Sequence, residues 1–119
     1  MQKLHAVQIT SIHCEEASEF TTDELFLVCQ ADGLLPWRIP AAINESHHMQ
    51  KGDTWYLDNL VLNFQFEVLV TLWDHDLNYD PNLLTYLQST DFEPGSGSGS
   101  RKLKNWNGAV YTVSYTYIN

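Results

Sequence analysis

Residues 60–72 alternate strictly between two sets of side chains, and no other segment constrains the fold as strongly. One set is wholly apolar and consists of Leu60, Leu62, Phe64, Phe66, Val68, Val70 and Leu72. Successive side chains of a strand point to opposite faces of a sheet, so this pattern predicts a strand with one buried face. Strands usually run about three to ten residues, and we therefore expect a bend or bulge near Phe66 and Glu67.

The other ordered segments also have the character of strands, and none carries a sustained helical stripe. Residues 4–14 are rich in β-branched side chains, residues 24–30 form a nearly continuous apolar run, and residues 108–119 alternate again. Residues 34–40 contain two prolines and are restricted to an edge strand or an extended loop. Strands with one apolar face bury it by packing sheet on sheet, which predicts an all-β, antiparallel sandwich.

Composition indicates one folded domain over residues 1–119 and excludes some partners. The net charge of −9 argues against nucleic acid, because binding phosphates requires clustered Lys and Arg. It also argues against direct binding to anionic lipid unless a cation bridges the two. We expect Cys14 and Cys29 to be free thiols. With no membrane-spanning apolar run and no signal-peptide core, we also expect a cytoplasmic location.

Residues 95–100 read GSGSGS, which is the composition of a flexible linker. A natural glycine-serine loop and an engineered splice both have this composition. In either case we expect a mobile surface loop that carries no chemistry.

The alternating run leads directly into an acidic loop, with Asp74, Asp76 and Asp80 within seven positions. Carboxylates this crowded repel each other unless water or a cation separates them. Calcium takes roughly six to eight oxygen ligands and favours such clusters on loops. The loop is therefore the first candidate for a functional site, either as part of a calcium site or as a solvated acidic turn.

Other functional classes find less support in the sequence. His47 and His48 are adjacent and would point to opposite sides of a strand, which does not match a zinc pattern. No nucleophile and base stand out as a pair, so we do not expect an enzyme. The aromatic residues would suit a sugar-binding face, although core packing is their commoner role. The main alternative is a structural or self-assembling subunit without metal dependence, a homo-oligomer that pairs through open sheet edges.

The motifs resemble those of C2 domains, over roughly residues 4–90. An apolar strand, residues 7–12, leads to an acidic pair that ends at Glu16, and a second strand follows Asp23. The D-x-D element of the third loop matches residues 74–76, with Asp80 and Asn82 following. Within that family the chain is most similar to small stand-alone bacterial domains without assigned chemistry.

The resemblance implies a site and a function. Calcium would bind between loops at one end of an antiparallel sandwich, and the implied ligands are Glu16, Asp23, Asp74, Asp76, Asp80 and Asn82. The domain would be a non-catalytic binding module, and the bound ion would bridge its carboxylates to an anionic lipid or a protein partner. Two departures from the family pattern stand out: Glu16 replaces an aspartate, and residues 82–85 replace the usual acid-apolar-glycine sequence.

Overall fold

The computed structural model describes residues 5–17, 23–42, 45–74, 82–88, 97–104 and 108–118, and for residues 58–59 and 82–88 it describes the backbone alone. Every regular element in these ranges is a strand. The strands are β1 His5–Glu16, β2 Asp23–Ala31, β3 Trp37–Ile39, β4 His47–Met49, β5 Thr54–Phe64, β6 Val68–Asp74, β7 Asn82–Gln88, β8 Ser98–Lys104 and β9 Val110–Tyr117.

The strands form two antiparallel sheets. The four-stranded sheet has the order β5-β1-β9-β8. The five-stranded sheet has the order β3-β2-β6-β7, and β4 also pairs with β2. All described pairings are antiparallel. The predicted all-β sandwich is confirmed, and the proline-rich segment contributes the short edge strand β3, as its sequence indicates.

The core lies between the two sheets and follows the predicted alternation closely. In β9 the inward side chains are Tyr111, Val113, Tyr115 and Tyr117. In β1 the alternation changes phase between Ile9 and Ile12, because the register shifts between Ile9 and Ser11 against both neighbouring strands. Cys14 and Cys29 are buried free thiols in this core, as predicted.

The longest predicted strand is in fact two strands that belong to different sheets. Strand β5 ends at Phe64 and β6 begins at Val68, so residues 65–67 carry the chain across the sandwich. Both sheets face the same core, and the crossing keeps the alternation in phase. Leu62 and Leu72 are therefore both buried, whereas Phe66 at the crossing is 65% exposed. The prediction that Phe66 is buried is wrong, and the expected bend near it is a complete change of sheet.

A carboxylate holds this crossing in place. Asp32, which follows β2 with φ of 54°, accepts backbone hydrogen bonds from three consecutive residues. Its Oδ2 accepts from Gln65 N at 2.8 Å, and its Oδ1 accepts from Phe66 N at 2.7 Å and Glu67 N at 3.0 Å. The hydrogen bond from Gln65 is the largest of the causes that lower the pKa of Asp32.

The second half of the glycine-serine run forms part of a strand. Residues 98–100 lie in β8 and pair with β9, while residues 95 and 96 lie outside the described residues. Gly99 faces the core, and a Cβ atom on it would be 2.7 Å from Oη and 2.9 Å from Cζ of the Tyr115 side chain. The prediction of a flexible loop is therefore wrong for residues 98–100, because these residues pair with β9 and the Tyr115 ring occupies the space beside Gly99.

Because the chain changes sheets at residues 65–67, Phe64 and Phe66 should contribute differently to the stability of the fold. Phe64 is 3% exposed, and its ring stacks with that of His5 at a centroid distance of 5.3 Å. We expect Phe64→Ala to lower the free energy of unfolding by about 3–5 kcal/mol. Phe66→Ala should lower it by less than about 1 kcal/mol. Urea denaturation of both variants measures the contrast, and equal losses would contradict the crossing.

Asp32→Asn should lower the melting temperature near pH 7, because an amide keeps one acceptor oxygen and turns an NH₂ group toward backbone N–H donors. Folding lowers the pKa of Asp32 below its ordinary value of 3.8. The stability that this group contributes is thus present above that value and is lost as pH falls through the folded pKa. The difference between the two proteins should shrink in melts below pH 3.8. Glu45→Gln, at an exposed carboxylate, is the control and should melt like the unaltered protein. A pH-independent difference would contradict this account.

Gly99→Ala should destabilise the fold by about 1–3 kcal/mol, the usual cost of inserting a methyl group into a filled space. Ser100→Ala, at the exposed neighbouring position, should change stability by less than about 0.5 kcal/mol. Chemical denaturation distinguishes the two. If Gly99→Ala is as well tolerated as Ser100→Ala, the contact with Tyr115 does not constrain the strand.

Candidate functional site

One end of the sandwich gathers several of the predicted site residues and is called the acidic end below. Strand β1 ends there at Glu16, β2 begins at Asp23, and β6 ends at Asp74. The connection between β4 and β5, residues 50–53, lies at the same end, because β4 pairs with the first residues of β2. The antiparallel pairing of these strands is what brings residues so distant in sequence to one end.

Asp23 and Asp74 lie on adjacent strands of the five-stranded sheet and on its inner face. Asp74 pairs directly with Leu25, so Asp23 is its diagonal neighbour on the same face. Both side chains are buried, with exposed fractions of 0% and 2%. The structure therefore brings together two of the predicted carboxylates, at the rim of the core.

Each of these carboxylates accepts a hydrogen bond from the surrounding protein. Tyr111 Oη, from the opposite sheet, donates to Asp23 Oδ2 at 2.5 Å. Glu24 N donates to Asp74 Oδ1 at 2.8 Å. Burial, followed by the bond to Asp23, raises the pKa of the Tyr111 phenol. Tyr111 thus remains a donor that ties the two sheets together across the acidic end.

Cys14 lies beside Tyr111 in the register of β1 and β9. Burial, the largest cause, raises the pKa of its thiol, and the nearby Asp23 carboxylate adds to this effect. The thiolate is the reactive form of cysteine, so this environment disfavours nucleophilic chemistry. Cys14 packs as a small apolar residue.

Glu16 is at the same end but belongs to a different set of contacts. Its Oε1 is 2.8 Å from Lys51 Nζ, and both side chains are about half exposed or more. The hydrogen bond with Glu16 is the main reason that the pKa of Lys51 is raised. The neighbouring Glu15 pairs with Lys102 of β8 at 3.0 Å. Glu16 is therefore held on the outside, away from the inner face that carries Asp23 and Asp74.

The remaining predicted ligands are placed only in part. Asp76 and Asp80 lie outside the described residues. Asn82 begins β7 opposite Trp73, and only its backbone is described. Within the described ranges, no group of three or more His, Cys, Asp or Glu side chains is close enough to hold a metal ion. The described part of the site therefore consists of the pair Asp23 and Asp74.

Sequence reasoning missed Tyr111, although a signal for it exists. Tyr111 is the first inward residue of β9, and β9 begins at the same end as β2. A buried tyrosine needs a hydrogen-bond partner, and a carboxylate at the start of a facing strand is a natural one.

Among the histidines and aromatic residues considered as alternative sites, His47, Trp55 and Trp73 take part in packing. The rings of His47 and Trp55 stack at a centroid distance of 4.6 Å, and burial lowers the pKa of His47. Trp73 stacks on Phe26 and donates through Nε1 to Thr71 Oγ1 at 2.9 Å. These contacts give the rings structural roles on the sheet surfaces.

Solved C2 domains have a similar fold. A structure described as that of a C2 domain has a TM-score of 0.57 at 11% identity, covering 98% of each chain. A C2 domain of plant Extended Synaptotagmin 1 has a TM-score of 0.54 at 6% identity, covering 96% of this chain and 92% of that one. Human GIVD cytosolic phospholipase A2, solved with a methyl gamma-linolenyl fluorophosphonate inhibitor and terbium chloride, has a TM-score of 0.51 at 10% identity. That match covers 96% of this chain and 17% of the enzyme.

At these identities the similarity establishes the fold alone. No protein-family model and no curated protein sequence matches the chain. In the part of the chain that the structure describes, no helix is long and apolar enough to cross a membrane. The strand arrangement and the structural neighbours agree with the motifs read from the sequence, and we conclude that the chain is a C2-like β-sandwich domain.

Proposed function

We propose that this domain is a non-catalytic binding module whose acidic end takes up calcium and, through the ion, engages an anionic lipid or a protein partner. The observation that supports this proposal is the pair Asp23 and Asp74. Two carboxylates buried side by side at one end of a sandwich repel each other, and a bound cation lowers that repulsion. Tyr111 and Glu24 donate hydrogen bonds to this pair, and a cation at the rim would add a further favourable interaction.

The donor types suit calcium. Carboxylate oxygens on strand ends and loops are the ligands that this ion prefers. Asp76 is two positions beyond Asp74, Asp80 follows it in sequence and Asn82 begins β7, so we propose all three as further ligands. Glu16 fits less well because it is paired with Lys51, and it would join the site only after that pair opens.

The charge of the chain favours a bridging role for the ion. With a net charge of −9, the domain repels an anionic lipid headgroup or an acidic peptide at long range. Partial neutralisation of the acidic end by a bound ion would weaken this repulsion there. The partner would then share the ion with the protein carboxylates.

A self-assembling subunit without metal dependence is the second candidate. Strand β5 is an edge of the four-stranded sheet and exposes Tyr56 and Val61. Edge strands present unpaired backbone groups that favour pairing with another copy. Light scattering over a range of protein concentrations tests this alternative, because a calcium-binding monomer would show no change in mass.

Calcium at about 1 mM should raise the melting temperature relative to EDTA. At about a hundredfold excess over Kd, binding to the folded state alone contributes about 2.7 kcal/mol. The double variant Asp74→Asn with Asp76→Asn should lose this shift. Without calcium it should be as stable as the unaltered protein or more so, since like charges are removed.

Glu15→Gln is a matched control, because it removes one charge at the same end but from the outer ion pair with Lys102. It should keep the calcium shift. Identical melts of the unaltered protein in calcium and EDTA would overturn the proposal, and so would an unchanged shift in the double variant.

A further inference from the structure

The end of the sandwich opposite the acidic end exposes large apolar side chains. Two connections meet there: residues 32–36, between β2 and β3, and residues 65–67, between β5 and β6. We call them together the distal tip. Leu34, Leu35 and Phe66 in these connections are 69%, 88% and 65% exposed. They contribute nothing to the core, so their exposure needs another explanation.

Several backbone groups of the distal tip already have hydrogen-bond partners within the protein. Asp32 accepts from all three N–H groups of residues 65–67, and Asp32 N donates to Glu67 O at 2.8 Å. Leu34 N donates to Ala31 O at 2.9 Å, and Gln30 Nε2 donates to Leu34 O at 2.8 Å. Backbone groups that enter an apolar phase must find partners within the protein. These hydrogen bonds meet that condition for the N–H groups of residues 65–67 and for both backbone groups of Leu34, while the apolar side chains stay exposed.

The charged residues near the distal tip indicate which kind of surface it can bind. The charged residues of the two connections are Asp32 and Glu67, both acidic. The nearest cation in sequence, Arg38, donates through Nη1 to carbonyl oxygens and lies 4.1 Å over the ring centroid of Phe26. Lys51, Lys102 and Lys104 lie toward the acidic end, Arg101 pairs with Val113 midway along β8, and Lys3 lies outside the described residues. The two connections of the distal tip therefore carry no cation that would attract anionic headgroups, and they suit a zwitterionic surface.

The shape of the distal tip favours lipid over a protein partner. The molecule measures 48 × 26 × 26 Å, and the tip is two short connections at one end of it. A specific protein interface buries about 800 Å² on each partner, which needs a wider face than this. Shallow entry into a bilayer needs only a few apolar side chains that protrude. Trp37, 40% exposed at the start of β3, lies just behind them, and tryptophan is typical of the headgroup region.

We propose that the distal tip inserts into the surface of a zwitterionic bilayer without calcium, with Leu34, Leu35 and Phe66 in the apolar boundary. This contact is separate from the calcium-dependent function proposed for the acidic end. Each contact can therefore fail without the other.

The test is co-sedimentation with phosphatidylcholine vesicles in EDTA. The unaltered protein should bind, and Leu34→Ser with Leu35→Ser should reduce partitioning about tenfold or more, as expected for the loss of two apolar side chains. Tyr56→Ser is the matched control, since Tyr56 is 74% exposed on β5 away from the distal tip, and its partitioning should be unchanged. Circular dichroism melts should show all three proteins folded, because the substituted side chains are exposed.

A second measurement reports the orientation. Tryptophan introduced by Leu35→Trp should be quenched by brominated phosphatidylcholine, whereas Tyr56→Trp should not. The proposal is overturned if the unaltered protein does not bind phosphatidylcholine in EDTA. Binding that needs calcium or phosphatidylserine and survives the double serine change would also overturn it, by assigning the contact to the acidic end. Concentration-dependent self-association that the double change abolishes, without vesicle binding, would show instead that a second copy covers the distal tip.

Discussion

The carboxylate of Asp32 holds the chain where it passes from one sheet to the other, and both halves of the sandwich depend on that passage. The N–H groups of residues 65–67 cannot find partners in a hairpin within one sheet, because the strands on either side lie in different sheets. Asp32 supplies the missing acceptors from a neighbouring turn. One side chain therefore joins the connection between β5 and β6 to the end of β2 and sets where the two sheets begin to face each other.

The sequence was sufficient for the class of fold but not for the change of sheet. An alternation with period two reports which side chains face the core, and both sheets of a sandwich face the same core. A continuous strand and a crossing that preserves phase therefore give the same alternation, and this alternation alone predicts a buried Phe66. The constraint at Gly99 is invisible in the sequence for a related reason. Composition indicates how flexible an isolated segment is. The limit on side-chain size at Gly99 comes instead from the Tyr115 side chain on another strand.

Like the fold, the candidate site could be predicted from the sequence only in part. Asp23 and Asp74 flank apolar strands, and their arrival at one end follows from the antiparallel sandwich that the resemblance implied. The roles of Glu16 and Tyr111 depend on contacts made by residues far away in sequence. Lys51 draws Glu16 outward, and Tyr111 reaches Asp23 from the opposite sheet. Such pairings are set by packing between sheets, on which a single sequence carries little information.

The two ends of the molecule differ in charge and in polarity, and the length of the sandwich keeps them independent. Strand β2 runs the whole distance, and its nine residues span about 30 Å at about 3.4 Å each. Electrostatic interactions in physiological salt decay over about 8 Å, so the charge state of the acidic end has little influence on the distal tip. A surface bound at one end leaves the other end facing away from it. A domain that uses both ends would thus hold two partners on opposite sides, with the rigid core as the spacer between them.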